Sequence, residues 1–273
     1  MRTYHEHMMG ESKGRIAALR RKIGEVAPCR AAARPGAQPC IPAGHGGMDA
    51  ALGGGVMRGR LHEILAADAG DASSAAGFAA MLAHRAGGAI LWLREDEAQR
   101  RGGRLYPPGL VQIGIDPARL VLAVLPDPPA LLRAAADVAR CPAVGVAVVE
   151  LWRTPRVMDL TASRRLALAA EAAGVTVLLL RVEADAAPSA AQTRWAVRAA
   201  PSGALAGNAP GHSALDVEIL RQRGRPAVGR WHVEWDRDQG CFRDHDGGWA
   251  ALSGAVPAFP AGGQAEGRWR RRA

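Results

Sequence analysis

Residues 59–82, GRLHEILAADAGDASSAAGFAAML, join a strand-like apolar run to a helix-like alanine-rich run. A loop in this position binds phosphate when it reads Gly-x-x-x-x-Gly-Lys-Ser/Thr, because glycines let backbone N–H groups surround the phosphate, lysine neutralises its oxygens and the hydroxyl holds Mg²⁺. The residues at those four positions here are Ala66, Asp71, Ala72 and Ser73. Only the hydroxyl remains, so the sequence predicts the shape of a phosphate-binding loop without its chemistry.

The charges of this loop oppose phosphate binding. A carboxylate from Asp71 at about 4 Å from a phosphate costs roughly 4 kcal/mol at an effective dielectric near 20. A charge-assisted contact contributes only about 1.5–3 kcal/mol. The chain has no lysine after Lys22, and the nearest arginine downstream of the loop is Arg85, a full helix away. We therefore expect neither a catalytic residue nor a bound cofactor at this loop.

Other histidines and serines suggest little chemistry. His5 and His7 stand in an N-terminal stretch without further ligands nearby, so no metal site is predicted. Ser73 and Ser74 follow the loop and are candidates to cap the next helix. As nucleophiles they would need a positioned base, for which His62 is only a neighbour in sequence.

From residue 60 onward, apolar runs of strand length alternate with helical patterns, which is typical of a parallel α/β sheet. Runs such as VGVAVV and VTVLLL are apolar throughout, as expected for strands covered by helices on both faces. Shorter β-like runs after residue 190, among them TRWAVRAA and GRWHVEW, predict an antiparallel extension on the C-terminal side. The predicted strands of the parallel part are 61–65, 89–93, 119–124, 143–151 and 175–181. The predicted helices are about 73–86, 127–140 and 159–173.

Composition divides the chain into an N-terminal helix with a linker, an α/β domain and a basic tail. The helix is predicted because Ile16, Leu19 and Ile23 have helical spacing among basic residues. The linker is rich in Pro, Gly and Ala, and the tail has a composition typical of flexible segments. The predicted boundaries are 1–47, 48–246 and 247–273.

The formal net charge is +9, and nearly all basic residues are arginines. The final RWRRRA places an indole among arginines that could bind phosphates while the ring stacks on a base. A solvated tail accounts for the same sequence, so direct DNA binding stays open. The tail residues concerned are Arg268, Trp269, Arg270, Arg271 and Arg272.

The sequence favours a cytoplasmic protein with no membrane partner. It has no run of 18 or more apolar residues, and its first residues lack the apolar stretch of a secretory signal. The four cysteines form no C-x-x-C pair, which indicates reduced thiols rather than a zinc site or a disulfide framework.

Residues 48–65, MDAALGGGVMRGRLHEIL, resemble the approach to the nucleotide site in RecA-type recombinases: a Leu-Gly-Gly-Gly turn, a Gly-Arg pair and a strand that contains Glu63. The order and spacing of the later strands also follow that family, so the resemblance covers roughly residues 48–236. Within this superfamily, the altered loop and the GRWHVEW stretch resemble the ImuA family, small RecA-like proteins of bacterial error-prone translesion synthesis. The resemblance implies a RecA-like α/β core.

The resemblance also assigns positions in an ATP site. Glu150 would stand on the magnesium side, and Glu95 or Asp96 would correspond to the carboxylate that activates water. Each of these acids is equally explained as a solvated acid at the edge of the sheet. Where recombinases have a γ-phosphate sensor, this chain has Arg181 and Val182, so the sensor is expected to be absent.

The connection LWRTPRVMDLTASRR matches the first DNA-contacting loop of a recombinase but is short, which questions that mode of DNA binding. Its four arginines could contact phosphates or form the basic face of a surface helix, and the sequence does not decide between the two. They are Arg153, Arg156, Arg164 and Arg165.

By this resemblance the protein would be a non-catalytic adapter in SOS-induced, error-prone translesion DNA synthesis. Its partners would be RecA, the inactive Y-family polymerase-like protein ImuB and, through them, a DnaE-type error-prone polymerase. The N-terminal helix would then dock on a RecA-like surface. Two alternatives stay open: a DNA-stimulated ATPase that uses Glu150 and Asp96, and a cell-division inhibitor that resembles SulA.

Overall fold

The computed structural model describes residues 39–184, 186–203, 211–226 and 229–245. The strands there are β1 (Cys40–Ile41), β2 (Val56–Met57), β3 (Leu61–Ala66), β4 (Ala89–Glu95), β5 (Leu120–Leu125), β6 (Val144–Trp152), β7 (Thr176–Val182), β8 (Thr193–Ala199), β9 (Ala214–Gln222), β10 (Arg230–Asp236) and β11 (Cys241–Asp244). The helices are α1 (Gly46–Leu52), α2 (Ala72–Ala86), α3 (Asp96–Gly102), α4 (Pro107–Gln112), α5 (Pro128–Ala139) and α6 (Leu160–Ala173). Within these ranges no helix is long and apolar enough to span a membrane.

Nine strands form one sheet in the order β11-β10-β9-β8-β3-β7-β6-β4-β5. From β8 to β5 all neighbours pair in parallel, and β8 to β11 pair antiparallel. The predicted α/β class, with a mostly parallel sheet and an antiparallel C-terminal extension, is therefore confirmed. Because the central strands are parallel, their carboxyl ends lie along one edge, where ligands of open α/β sheets usually bind.

Helices cover both faces of the sheet, which explains the wholly apolar runs. On one face, α2 packs through Phe78 against a core that includes Trp92 and Trp195. On the other face, Leu131 of α5 and Leu166 of α6 pack over the central strands. Burying a large apolar side chain contributes roughly 1.5–3 kcal/mol. The two helix layers therefore stabilise the sheet and hold the carboxyl ends of its parallel strands in place.

The bounds of α5 and α6 follow from their end residues. Asp127 and Asp159 precede the two helices, and the Oδ1 atom of each accepts a first-turn backbone N–H at 2.7 Å. Such caps contribute about 1 kcal/mol each. Helix α6 ends at Gly174, whose φ of 73° is left-handed and costs little in glycine. The predicted bounds of these two helices, about 127–140 and 159–173, agree with the structure to within one residue.

Helix α2 starts differently from the prediction. It begins at Ala72 directly after Asp71, and no side chain caps its first N–H groups. Ser73 and Ser74 lie inside the first turn. The prediction that one of them caps the helix is wrong, because a capping residue must precede the helical backbone that it caps.

The described fold begins at residue 39, before the predicted domain start at residue 48. β1 pairs with β2, and the Leu-Gly-Gly-Gly turn after α1 brings the chain back into β2. Gly53 ends α1 at a left-handed φ of 74°. At Gly55 a Cβ would lie 2.3 Å from the backbone oxygen of Ile41. The predicted linker includes residues 39–47 because a strand of two residues leaves no periodic signal in the sequence.

The antiparallel extension matches its prediction. β9 and β10 pair as the two arms of a hairpin, with Trp231 opposite Val217. Val233 and Trp235 are buried, and Trp231 packs against the same core, so the three residues share one face as expected from their spacing. The indole N–H of Trp235 donates to the backbone oxygen of Ile113 at 3.0 Å.

His62 on β3 is a fully buried, neutral hydrogen-bonding residue rather than a base for the loop serines. Its Nε2 lies 2.8 Å from the Met57 carbonyl oxygen, which can only accept, so Nε2 carries the proton. Its Nδ1 accepts from the Thr193 hydroxyl at 2.7 Å, and that hydroxyl accepts from the Trp195 indole at 2.8 Å. Burial lowers the pKa of His62 from 6.5 to about 4.

This lowered pKa predicts a specific loss of stability in acid. In the unfolded chain His62 binds a proton below its ordinary pKa of 6.5, whereas in the folded chain it does so only below about 4. Stability from this residue is therefore complete above pH 6.5 and is lost as the pH falls toward 4, by about 2 kcal/mol between about pH 7 and pH 5. Urea unfolding at both pH values checks this. The His62→Gln variant should show a smaller pH dependence than the parent chain, and equal dependences would contradict the assignment.

Candidate functional site

The loop between β3 and α2 has the strand-loop-helix geometry that the sequence predicted. It leaves the sheet at Ala66, makes a 3₁₀ turn over Ala69–Asp71 and enters α2 at Ala72. The Asp71 Oδ1 atom accepts the backbone N–H of Ala199, the last residue of β8, at 2.8 Å. The Asp71 carboxylate thus lies at the loop itself and ties the loop to the neighbouring strand.

Glu150, the predicted magnesium-side carboxylate on β6, is buried and bonded through both of its oxygens. Oε2 accepts the indole N–H of Trp92 at 2.9 Å. Oε1 accepts the Trp152 indole N–H at 3.0 Å and the Arg94 Nη2 at 2.9 Å. Three protein donors therefore surround the carboxylate in the place where the resemblance positions a metal ion.

Arg94 connects this carboxylate to α3. Besides Glu150, its guanidinium donates to the backbone oxygens of Ala98 at 3.0 Å and Gly103 at 2.8 Å. Its side chain is only 3% exposed, so the positive charge depends on these acceptors. The network joins the ends of β4 and β6 to the helix that follows β4.

The two candidates for a water-activating carboxylate are also engaged. Glu95, the last residue of β4, is buried, and its Oε1 accepts the Trp152 backbone N–H at 2.8 Å. Burial raises the pKa of Glu95, although that N–H partly opposes the shift. Asp96 begins α3 and accepts from Arg100 at 2.7 Å as an exposed i,i+4 ion pair. Such surface pairs contribute little stability.

Arg181, at the predicted sensor position, points into the protein. Its Nη1 lies 3.2 Å from Oε1 of Glu63, a residue of β3 with no exposed surface. Oε2 of Glu63 accepts from Arg194 Nε at 2.7 Å and from the Ser189 hydroxyl at 2.8 Å. Arg181 also donates to the Thr154 hydroxyl at 3.2 Å. The expected absence of a sensor stays a prediction, but this arginine has an internal role.

Two residues at the ends of β6 and β7 have left-handed backbones although neither is glycine. Arg153 has φ 61° and Glu183 has φ 51°. The Arg153 N–H donates to the Val182 oxygen at 2.7 Å, and the Glu183 N–H donates to the Ala66 oxygen at 2.9 Å. Such conformations cost of order 1–3 kcal/mol in non-glycine residues and concentrate at functional sites. They lie on the same edge as the loop.

Arg101 covers the indole of Trp152 at this edge. Its guanidinium carbon is 4.9 Å from the ring centroid, a cation–π arrangement. The same guanidinium pairs with Glu183, with Nη1 at 2.6 Å from Oε2. Its Nη2 also donates to Oε1 of Glu183 at 2.8 Å, and the hydrogen bond with Arg101 is the main reason that the pKa of Glu183 is lowered. At this edge Arg101, Trp152 and Glu183 therefore interact with one another through a cation–π contact and an ion pair.

Sequence reasoning missed most members of the two buried networks, among them Trp92, Arg94 and Arg194. A usable signal was present. Glu63 stands in LHEIL and Arg181 in VTVLLLR, where both faces of the strand are covered. A charge in such a strand must find a partner, because an unpaired buried charge costs several kcal/mol.

Several predicted site residues lie outside the part of the chain that the structure describes. These are Ile16, Leu19 and Ile23 of the N-terminal helix, and Arg268, Trp269, Arg270, Arg271 and Arg272 of the tail. Among the described residues, no group of three or more His, Cys, Asp or Glu side chains is placed to hold a metal ion.

Solved structures place this architecture in a known class. The chain is similar to the RadB recombinase, with a TM-score of 0.52 and 15% identity over 75% of this chain and 99% of that protein. At this identity the likeness concerns the fold alone. Together with the strand order and the loop at the carboxyl edge, it defines a RecA-like α/β protein, as the sequence predicted.

Among curated proteins, the chain is 31% identical over 228 residues to Protein ImuA of Caulobacter vibrioides strain NA1000 / CB15N, and equally to that of strain ATCC 19089 / CIP 103742 / CB 15. Each match spans 77% of this chain and 82% of the relative. No protein-family model matches the chain. The chain belongs to the ImuA family.

Proposed function

We propose that this protein is a non-catalytic RecA-like adapter in DNA-damage-induced, error-prone translesion DNA synthesis. The observation that carries the proposal is the loop between β3 and α2. Asp71 and Ala72 stand there in place of the glycine and lysine of a phosphate-binding loop, and Asp71 is bonded to β8. A phosphate group would meet the carboxylate of Asp71 and, at the next position, an alanine where a phosphate-binding loop has its lysine.

The neighbouring carboxylates support the same conclusion. Glu150 accepts from Arg94 and two indoles, so Mg²⁺ would have to compete with these three donors, and turning the carboxylate toward an ion would leave a buried guanidinium without its partner. Charge-assisted hydrogen bonds contribute about 1.5–3 kcal/mol each. A nucleotide would have to offset this loss in addition to the repulsion from Asp71.

Membership of the ImuA family supports the partners that we propose: RecA, the polymerase-like protein ImuB and, through them, a DnaE-type polymerase. The large sheet offers a place for association. Within the described residues β5 is its outermost parallel strand, with Leu122 and Val124 each 40% exposed. An exposed, uncharged edge of this kind favours pairing with another chain.

Nucleotide binding is the first test. We expect calorimetric titration with ATP and Mg²⁺, with and without single-stranded DNA, to give no binding heat up to concentrations of about 1 mM, which corresponds to less than about 4 kcal/mol of binding free energy. A recombinase titrated alongside provides the positive control. Micromolar binding by this chain would instead favour the DNA-stimulated ATPase.

Association with RecA and ImuB tests the adapter role itself. In co-purification, the full chain is expected to bring down both partners. We propose that the helix containing Ile16, Leu19 and Ile23 docks on RecA, so deletion of residues 1–25 should abolish RecA association. Deletion of 247–273 serves as the control for loss of a terminal segment. RecA association that is unchanged without residues 1–25 would reject the docking role, and failure of the full chain to bind either partner would reject the adapter.

A further inference from the structure

Helix α6 carries an apolar stripe on its solvent side. Leu160 and Leu168 are 52% and 58% exposed, and they lie eight residues apart with Arg164 between them at i,i+4 spacing. Val157, just before the helix, is 43% exposed. The opposite side of α6 already packs on the sheet, so these apolar groups have no role in the core of this domain. We name Val157, Leu160, Arg164, Arg165 and Leu168 the α6 stripe.

As far as the structure describes the chain, the arginines of this surface lack carboxylate partners. Within the described ranges, no ion pair involves Arg156, Arg164 or Arg165. Of the two acids at and in α6, Asp159 caps the helix through the Ala162 N–H and Glu171 pairs with Arg60. The stripe therefore combines exposed apolar area with uncompensated positive charge, and surfaces of this type mark interaction sites.

The connection from β6 to α6 holds the stripe in a fixed position. It leaves the sheet through the left-handed Arg153, whose N–H is bonded to Val182. It then turns where the Met158 N–H donates to the Pro155 oxygen at 2.9 Å, and it enters the helix at the Asp159 cap. Backbone strain that the surrounding structure maintains at a surface connection is a signature of function. A preformed surface also binds at a lower entropic cost.

We propose that the α6 stripe is a docking surface for an acidic, amphipathic segment of a partner protein. Aliphatic side chains of that segment would cover Leu160 and Leu168, and its carboxylates would pair with Arg164 and Arg165. Nucleic acid is the less suitable occupant, because single-stranded DNA binds by stacking on aromatic rings and the stripe offers leucines instead. The proposal rests on the adapter function, for which it names the chemistry of one partner.

The test uses the purified full chain and fluorescence anisotropy. The probe is a labelled synthetic peptide in which Leu and Glu recur at helical spacing. The controls are the same composition in scrambled order, the same peptide with Glu replaced by Gln, and labelled single-stranded DNA. We expect the Leu/Glu probe alone to bind, and the double variants Leu160→Ser/Leu168→Ser and Arg164→Ala/Arg165→Ala to raise its Kd by on the order of tenfold or more. Leu220→Ser on β9 and Arg133→Ala on α5 are matched controls that should leave the Kd unchanged.

Three outcomes would overturn the proposal. One is that none of the peptides binds, or that the scrambled or Gln peptides bind as tightly as the Leu/Glu probe. Another is that the leucine variants bind like the parent chain. The third is that single-stranded DNA binds and only the arginine variants weaken it, which would make the surface a nucleic-acid site. Co-purification of RecA and ImuB distinguishes failure of this proposal from failure of the adapter role. If only the docking surface is wrongly assigned, the leucine variants still bring down both partners. If the adapter role fails, the parent chain brings down neither.

Discussion

Replacing Glu63 by Ala is expected to lower the free energy of unfolding by about 3–5 kcal/mol, the usual cost of removing one partner from a buried ion pair. The carboxylate has no exposed surface and accepts from Arg181, Arg194 and Ser189. Without it, two nearly buried guanidinium groups lose their counter-charge inside the sheet. Urea unfolding followed by tryptophan fluorescence measures the change in free energy, and thermal unfolding should show a fall in Tm of roughly 10 °C for a domain of this size.

Glu171→Ala is the matched control for this prediction. Glu171 also pairs with an arginine, Arg60, but both side chains are partly exposed. Removing a surface pair should cost at most about 1 kcal/mol. If Glu63→Ala does not yield soluble protein, Glu63→Gln gives the same comparison, because it keeps an acceptor oxygen while removing the charge. Equal effects at positions 63 and 171 would show that the buried network does not stabilise the sheet.

Glu150→Ala is the second large effect, and we expect about 3–5 kcal/mol of destabilisation. The substitution leaves Arg94 and the indoles of Trp92 and Trp152 without their acceptor. Glu150→Gln should destabilise less, by about 1–3 kcal/mol, because one acceptor oxygen survives. The remaining loss arises because the new amide N–H₂ group faces an N–H donor and cannot accept from it. Chemical denaturation measures both variants, and the emission of the two buried tryptophans should change in the folded state.

This second prediction also separates a structural carboxylate from a metal ligand. Glu97→Ala, which removes an exposed acid paired with Arg100, is the control and should change stability by at most about 1 kcal/mol. If Glu150 were instead reserved for Mg²⁺ and nucleotide, Glu150→Ala would leave stability nearly intact and remove nucleotide binding. That result would reject the network and restore the ATPase alternative.

The two networks compensate the buried acids of the parallel sheet from within the chain. Acids in neighbouring parallel strands repel one another unless cations or donors compensate them. Here Arg94, Arg101 and Arg181 supply that compensation from within the chain.

The sequence by itself determined the elements and their class. Wholly apolar runs predicted strands covered on both faces, and β6 and β7 are such strands. The Asp cap and Gly stop of α6 were readable because capping depends on neighbours within a single turn. The loop residues Asp71 and Ala72 were equally readable, because a phosphate-binding loop is one continuous segment.

Only the tertiary structure decided which side chains meet. Glu63 contacts Arg181 and Arg194 across separations of 118 and 131 residues, and Glu150 meets Arg94 across 56. Those contacts follow from the order β8-β3-β7-β6-β4 in the sheet, which arises when helices and strands pack together. Local periodicity reports whether a strand is buried but not which strand lies beside it. For this reason the sequence placed Glu63, Glu150 and Arg181 in strands, and only the packed fold assigned their partners.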